Sequence, residues 1–147
     1  MPSANSVAKF ILSLADEDAG ELISNLKLQK LLYYAQGFHL AMHGVPLFDE
    51  QIRAWEHGPV VPQVWQEYRE HGAGSIPCPA EVPIDEFTEA QAEVIKEVYA
   101  VFGQFSAWKL RNMTHDEAPW ASTARDNVIS HRKMKDYFVN QLAEDAH

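Results

Sequence analysis

Histidines are the residues of this sequence that most directly suggest metal chemistry, and the chain has seven of them. His39 and His43 are four residues apart, a spacing that places two imidazoles on one face of a helix, as in zinc enzymes. The general base of the His-Glu-x-x-His pattern is missing, because Leu40 occupies the glutamate position. His39 also lies on a leucine-rich stripe, so we interpret it as a hydrogen-bonded core histidine. One alternative stays open, a metal-dependent or other hydrolase using His39, His43, His57 or His115.

The single cysteine, Cys78, lies between Pro77 and Pro79 in a stretch whose composition predicts a loop. A catalytic thiol needs a histidine and an orienting acid beside it, which no local spacing supplies, so we interpret Cys78 as a bystander. One cysteine allows no intramolecular disulfide and no cysteine cluster for zinc, which is typical of a reducing, cytoplasmic compartment. With no phosphate-binding glycine loop and no dinucleotide fingerprint, we expect no catalytic residue, no metal and no cofactor.

The most unusual local sequence runs from Trp55 through His57 to Gly58 and Pro59. The residue before a proline is pushed out of the helical region, so Gly58 should be extended or lie in a turn. A rigid turn that carries an aromatic ring and a histidine can anchor an interface. The alternative is a structural turn in which Trp55 packs inward. We keep both interpretations.

A second candidate region lies at residues 114–120, where Thr114 and Glu117 have the spacing of a capping box. Trp120 follows Pro119 closely, which predicts a tight corner between two helices closed by a buried tryptophan. A role in partner contact is the alternative. Together the two regions give six candidate partner-binding residues: Trp55, His57, Gly58, Pro59, His115 and Trp120.

Helices must position these candidates, because apolar residues recur at helical spacing in six segments. The longest begins at Leu28. One of its stripes contains Leu28, Leu31, Leu32, Ala35, Phe38, His39 and Met42, and Tyr33 and Leu40 lie on the other side. A helix that is apolar on both sides belongs in the middle of a domain. We also expect another backbone to approach it near Gly37 and Ala41.

Capping signals predict where the other helices begin. A serine or asparagine among residues 3–6 suits the first helix, Pro62 the third, the Thr88 and Gln91 capping box the next, and then Ser106 and Ser130. Extended structure is predicted only near residues 52–55 and 82–84, a loop at 72–83, and fraying at 144–147. The predicted fold is mainly α: a compact, single-domain helical fold over residues 1–147 with a long central helix and at most a small β element.

Composition sets limits on partners. Twenty-one acidic and twelve basic side chains give a formal net charge of −9, so we expect no direct contact with nucleic acid and favour a basic protein partner. The acidic run at residues 16–18 is a place where such a partner could dock. The apolar run at residues 10–12 is broken by Ser13, which predicts neither a signal peptide nor a membrane span.

Three blocks of the sequence carry a family resemblance. Residues 28–37 are LQKLLYYAQG, residues 55–62 are WEHGPVVP, and residues 114–120 are THDEAPW. In this order they resemble the Panacea domain, the family of SocA-type antitoxins and phage-associated GepA proteins. The resemblance covers the chain from Val7 to about Trp120.

The resemblance implies a mainly helical domain that binds and neutralises a cognate protein toxin, in at least one branch by delivering it to an ATP-dependent protease. It implies no catalytic residues. Besides the hydrolase, a phage-associated regulatory adaptor without a toxin partner remains an alternative.

Overall fold

Seven α-helices and one short β-hairpin make up the computed structural model of this protein, which describes residues 1–145. In chain order the elements are α1 (Ala4–Leu14), α2 (Asn25–His43), β1 (Arg53–Trp55), β2 (Gly58–Val60), α3 (Pro62–Tyr68), α4 (Glu89–Phe102), α5 (Ala107–His115), α6 (Ala118–Ala121) and α7 (His131–Asp145). The predicted mainly helical class, with its long central helix and small β element, is confirmed. The fraying expected at residues 144–147 concerns a segment whose last two residues lie outside the described range.

Helix α2 runs through the centre of the molecule, as predicted. It packs against α1, α3, α4, α5, α7 and β2, and every residue from 27 to 37 is buried. Ser24 caps its start by accepting a hydrogen bond from the amide of Lys27, and Gly44 ends it with a φ of 76°. Because polar side chains are buried together with apolar ones, they must find hydrogen-bond partners inside the protein.

The approach at Gly37 differs from the prediction of a neighbouring backbone. The ring of Phe138 from α7 lies where a Cβ at position 37 would be. This ring packs on Tyr33 and Phe38, with centroids 5.4 and 4.7 Å away. Gly37 therefore makes room for an aromatic side chain, since α7 fills the core with large residues rather than with close backbone contact.

The capping predictions are confirmed at four helix starts. The side chains of Ser3, Ser106 and Ser130 each accept a backbone N–H three residues ahead, at 3.0, 3.1 and 3.1 Å. Thr88 and Gln91 form the reciprocal capping box. Local chemistry is sufficient to place these helix starts, because each bond joins residues three apart.

The prediction of extended structure at residues 82–84 is wrong, and the second strand of the hairpin lies at Gly58–Val60 instead. Residues Ile84–Glu86 form a 3₁₀ turn, followed by Phe87, whose ring packs edge-on against Phe10 of α1 at 5.0 Å. Pro83 has no N–H for a strand ladder, and this segment lies against a helix. The strand that pairs with β1 is β2: Arg53 faces Val60 and Trp55 faces Gly58 in antiparallel register.

The other edge of β1 is covered by residues 126–129. The amide of Ala54 donates to the carbonyl of Asn127 at 3.0 Å, and the amide of Ile129 donates to the carbonyl of Ile52 at 2.8 Å. The hairpin is thereby fixed between the segment before α7 on one edge and the central helix beneath it.

No helix within residues 1–145 has both the length and the apolar character that crossing a membrane requires.

Candidate functional site

The central helix holds the hairpin through a buried lysine. Lys30 is fully buried, and its Nζ donates to the carbonyl of Pro59 at 3.0 Å. Gly58 has a φ of 110°, and a Cβ there would lie 2.6 Å from Lys30 Cε and 2.8 Å from Thr114 Oγ1. Glycine at position 58 therefore satisfies both the backbone conformation and the space that Lys30 needs. Burial lowers the pKa of Lys30 to about 7, and the neighbouring Arg111 contributes in the same direction.

Two glutamines of the same helix fix loops that follow it. The side chain of Gln29 accepts a hydrogen bond from the amide of Val61, just before α3, at 2.9 Å. The side chain of Gln36 accepts a hydrogen bond from the amide of Leu47 and donates one to the carbonyl of Phe48, both at 2.7 Å. The polar residues of block 28–37 thus act inside the protein, where they satisfy backbone groups of turns that have no ladder partner.

Glu117 is held by two tyrosines of α2 and does not form the predicted capping box. Tyr33 and Tyr34 donate to its two carboxylate oxygens at 2.9 and 2.8 Å. Thr114 lies inside α5 and donates to the carbonyl of Arg111. The spacing is the same as in a capping box, but burial draws the carboxylate toward the helix that can donate to it. Burial also raises the pKa of Glu117 to about 7, although the tyrosine hydroxyls oppose the shift.

Trp120 lies at the predicted corner between α5 and α6 and connects it to the hairpin, but its side chain is half-buried rather than buried as predicted. Its indole N–H donates to the carbonyl of Trp55 at 2.8 Å. The ring of His115 stacks on it at 3.8 Å, and the guanidinium of Arg125 lies over the ring at 3.6 Å. Burial lowers the pKa of His115, and the positive charges of Arg111, Lys30 and Arg125 lower it further. This histidine is therefore in the neutral form at neutral pH.

An open surface beside this corner is lined by aromatic side chains, and we call it the aromatic groove. Two adjoining cavities of about 380 and 340 Å³ form it and share Leu26, His57 and Trp65. Trp55 lines one cavity and Trp108 the other. The Trp55 and Trp65 rings meet edge to face at 6.2 Å, and His57 lies 5.8 Å from the Trp108 ring.

The six predicted residues divide by exposure. His57 is exposed, whereas Trp55, His115 and Trp120 are half-buried. Gly58 and Pro59 are buried and act by shaping the hairpin. The structure brings all six into one region, because Trp120 binds the backbone of Trp55 and Lys30 binds that of Pro59.

The sequence analysis identified neither Trp108 nor Trp65 as a candidate site residue. Trp108 is 55% exposed, although Leu110 of the same helix is fully buried. A large aromatic residue two positions away from a helix's buried residue is a signal of exposed apolar surface that could have been used. Lys30 and Glu117 were also missed, since their environment depends on residues far away in the chain.

The remaining chemical candidates lie apart from one another. His39 is buried, and its Nδ1 lies 2.7 Å from the carbonyl oxygen of Val45, the satisfied state predicted for a core histidine. Its ring is 4.8 Å from that of His43. Cys78 is an exposed thiol in the loop. Within residues 1–145, no group of three or more histidine, cysteine or carboxylate side chains is arranged to hold a metal ion.

Lys30, Glu117 and their hydrogen-bond partners form a buried polar frame. Together with the aromatic groove, this frame characterises the α-helical fold. The chain belongs to the family described as Antitoxin SocA-like, Panacea domain, whose model matches residues 28–121. That range begins with the first of the three sequence blocks and ends just after the third. The predicted family resemblance is confirmed, and membership supports an antitoxin role.

One curated relative is Antitoxin SocA from Caulobacter vibrioides (strain NA1000 / CB15N), which is 48% identical over 50 residues. The matched stretch covers 34% of this chain and 27% of that protein. No solved structure matches the chain.

Proposed function

We propose that this protein is an antitoxin that binds a cognate protein toxin and neutralises it. The observation that carries the proposal is the family match over residues 28–121, because this range contains the three blocks that meet around the hairpin. The antitoxin role belongs to the family, and the toxin is the partner that such a role implies.

The hairpin side of the molecule is the surface we assign to the toxin. His57 and Trp55 stand on a turn fixed from below by Lys30 and from the side by Trp120. Side chains on a fixed turn lose little conformational entropy on binding, so an aromatic anchor there can dominate an interface. His115 and Trp120 support this turn, and Gly58 with Pro59 gives it shape.

We also propose that residues 1–147 form one domain, that it acts in the cytoplasm, and that it does so without a catalytic residue or cofactor. The formal charge of −9 favours a basic toxin overall. Simple blocking and delivery to an ATP-dependent protease are the two modes of neutralisation to distinguish. We favour delivery as the mode to test first, because the family resemblance implies it in at least one branch.

Co-expression with a neighbouring gene tests the proposal. The neighbour's product should arrest growth when expressed alone and be harmless with this protein. A His57→Ala variant should protect less well, whereas the matched His131→Ala variant, at an exposed position on α7, should protect fully. If the neighbour's product is harmless alone, or remains toxic when the wild-type protein is present, the two proteins are not a toxin and its antitoxin.

The mode of neutralisation needs a separate measurement. If the toxin is delivered to a protease, its half-life in cells should shorten when the antitoxin is present and recover when the ATP-dependent protease is depleted. A constant toxin level with full protection would assign simple blocking.

A further inference from the structure

Tryptophan side chains are concentrated at the aromatic groove. Three of the chain's four tryptophans line it, and Trp108 is the one tryptophan that is more than half exposed among the described residues. Leu26 and Val60 add aliphatic surface to the cavity walls. Exposed apolar surface of this kind is typical of a site that another molecule covers.

The negative charge of the protein lies elsewhere. Residues 16–21 and 81–97 hold ten of the twenty-one acidic side chains and one of the twelve basic ones, so the rest of the chain carries eleven of each and is formally neutral. None of the side chains in these two segments lines the groove. A partner that enters the groove therefore does not need to match the overall charge of −9.

Among the described residues, no carboxylate pairs with the guanidinium that lines the groove or with the one that stacks on Trp108. Arg69 lines the larger cavity, and the guanidinium of Arg111 lies 4.6 Å from the centre of the Trp108 ring. Among the described residues, neither has an acidic side chain within salt-bridge distance. The Nε of Arg111 is buried without a hydrogen-bond partner. Because this atom has almost no solvent-accessible surface, a binding partner cannot reach it. Arg69 is exposed and lines the larger cavity, so it is the guanidinium that is open to a ligand there.

The backbone adds to this positive character. Helices α2 and α5 both begin at the larger cavity, where Asn25 and Ala107 line its wall. The first amides of a helix have no intrahelical partner and carry a partial positive charge. Glu56 is the one acidic side chain that lines the groove, at the edge of the smaller cavity.

We propose that the aromatic groove binds a segment of the toxin in which an aromatic side chain stands next to a carboxylate. The ring fills the space between Trp65 and Trp108, and the carboxylate pairs with the guanidinium of Arg69. Charge-assisted pairing of a carboxylate with a planar guanidinium is stronger than a neutral hydrogen bond. The inference rests on the proposed function, in that the segment belongs to the toxin.

Binding of short peptides to the full chain tests the chemistry without the toxin. The probe is acetyl-Gly-Asp-Phe-Gly-amide, and its controls replace Asp with Asn or with Lys; acetate alone is a further control. With ¹⁵N-labelled tryptophan the chain gives four indole signals. At about 1 mM the Asp peptide should move the signals of Trp55, Trp65 and Trp108 and move Trp120 least, since its N–H is bonded to the hairpin.

Charge specificity is the deciding result. The Asn peptide should bind about 10-fold more weakly, and the Lys peptide more weakly still. Arg69→Gln should weaken the Asp peptide about 10-fold, whereas Lys135→Gln, at an exposed position of α7, should leave it unchanged. Equal binding of the three peptides would overturn the inference, and so would acetate shifting the indole signals as much as the Asp peptide does. Indole shifts that depend only on protein concentration would also overturn it, because a second copy of the chain would then fill the groove.

The toxin itself separates this inference from the proposed function. Trp108→Ala should weaken toxin binding while leaving the fold intact, because this side chain is 55% exposed. If the toxin binds the wild type and Trp108→Ala equally, the groove inference fails and the antitoxin function stands. If no toxin is neutralised while the Asp peptide binds as described, the proposed function fails and the chemistry of the groove stands.

Discussion

The buried frame around Lys30 and Glu117 and the aromatic groove beside it make opposite use of unusual residues. In the frame, charged and polar side chains are removed from water and bonded to the backbone or to tyrosines. In the groove, large apolar side chains such as Trp108 remain in contact with water. The frame costs desolvation free energy and gives a fixed geometry, whereas the groove leaves apolar surface that a partner can cover.

The sequence blocks shared with the family contain both kinds of residue, those that hold the structure together and those that are exposed for binding. Block 28–37 contributes only buried residues, so its polar side chains determine how the hairpin and loops attach to helix α2. The block at 55–62 contributes the exposed His57 together with the buried Gly58 and Pro59. Substitutions in the frame should therefore change stability, and substitutions in the groove should change binding.

The largest expected effect is on the frame's apolar surroundings. Leu31 is fully buried on α2, so Leu31→Ala should lower the free energy of unfolding by about 2 to 5 kcal/mol through the cavity it leaves. Urea unfolding followed by circular dichroism measures this. Val139→Ala, at an exposed position on α7, is the control and should change stability by less than about 0.5 kcal/mol. A loss as small as the control's would contradict the central position of α2.

The two buried charges should make stability depend on pH with a minimum near neutrality. Glu117, with its pKa raised to about 7, holds more protons in the folded than in the unfolded state between pH about 4.5 and 7, so its contribution falls as pH rises there. Lys30, with its pKa lowered to about 7, holds fewer protons when folded between pH 7 and about 10.5, so its contribution rises with pH. At about 1.4 kcal/mol per pKa unit, the contribution is about 3 kcal/mol for Glu117 and about 5 kcal/mol for Lys30 across its window.

Single variants isolate each limb of this pH profile from the titration of other groups. Glu117→Gln should flatten the acidic limb alone, and Lys30→Met the alkaline limb alone. Melting temperatures of the wild type and both variants from pH 4.5 to 10 give the differences. Above pH 10, the buried Tyr33 and Tyr34 lower the stability as pH rises, because burial raises the pKa of each and the folded state then holds more protons than the unfolded state. Parallel profiles for wild type and variants would mean that neither group is desolvated as the structure places it.

A smaller effect is expected where the hairpin meets the frame. Gly58 and Gly44 both have positive φ, but a Cβ at position 58 meets Lys30 and Thr114, whereas one at position 44 meets nothing within 4 Å. Gly44→Ala should thus report backbone strain alone, about 1 kcal/mol. Gly58→Ala should cost about 1 to 3 kcal/mol more in urea unfolding, because Lys30 must also move. Equal costs would show that the space beside Gly58 is not needed.

Local spacing was enough to predict some of these elements from the sequence, and others required distant contacts. The capping box of Thr88 and Gln91 and the cap at Ser106 join residues three apart, so these helix starts can be predicted directly from the sequence. The pairing of β2 with β1 was missed because the turn residues Glu56 and His57 give no hairpin signal such as Asn-Gly.

The role of Glu117 shows the same limit for the candidate site. Its spacing from Thr114 fits a capping box, yet the donors that reach it are Tyr33 and Tyr34, more than 80 positions earlier in the chain. Trp108 was missed for the opposite reason, since exposure on a helix is evident only once the buried face is known. Predictions based on sequence succeeded where one turn of backbone decides and failed where tertiary packing decides.

The most direct test of the division between frame and surface is a comparison of toxin affinity with melting temperature for His57→Ala. His57 is exposed and lines both cavities of the groove. We expect a melting temperature within about 1 °C of the wild type and a loss of about 1 to 3 kcal/mol in the free energy of toxin binding. Unchanged affinity, or a loss of binding that follows entirely from unfolding, would contradict this division and leave the hairpin a purely structural role.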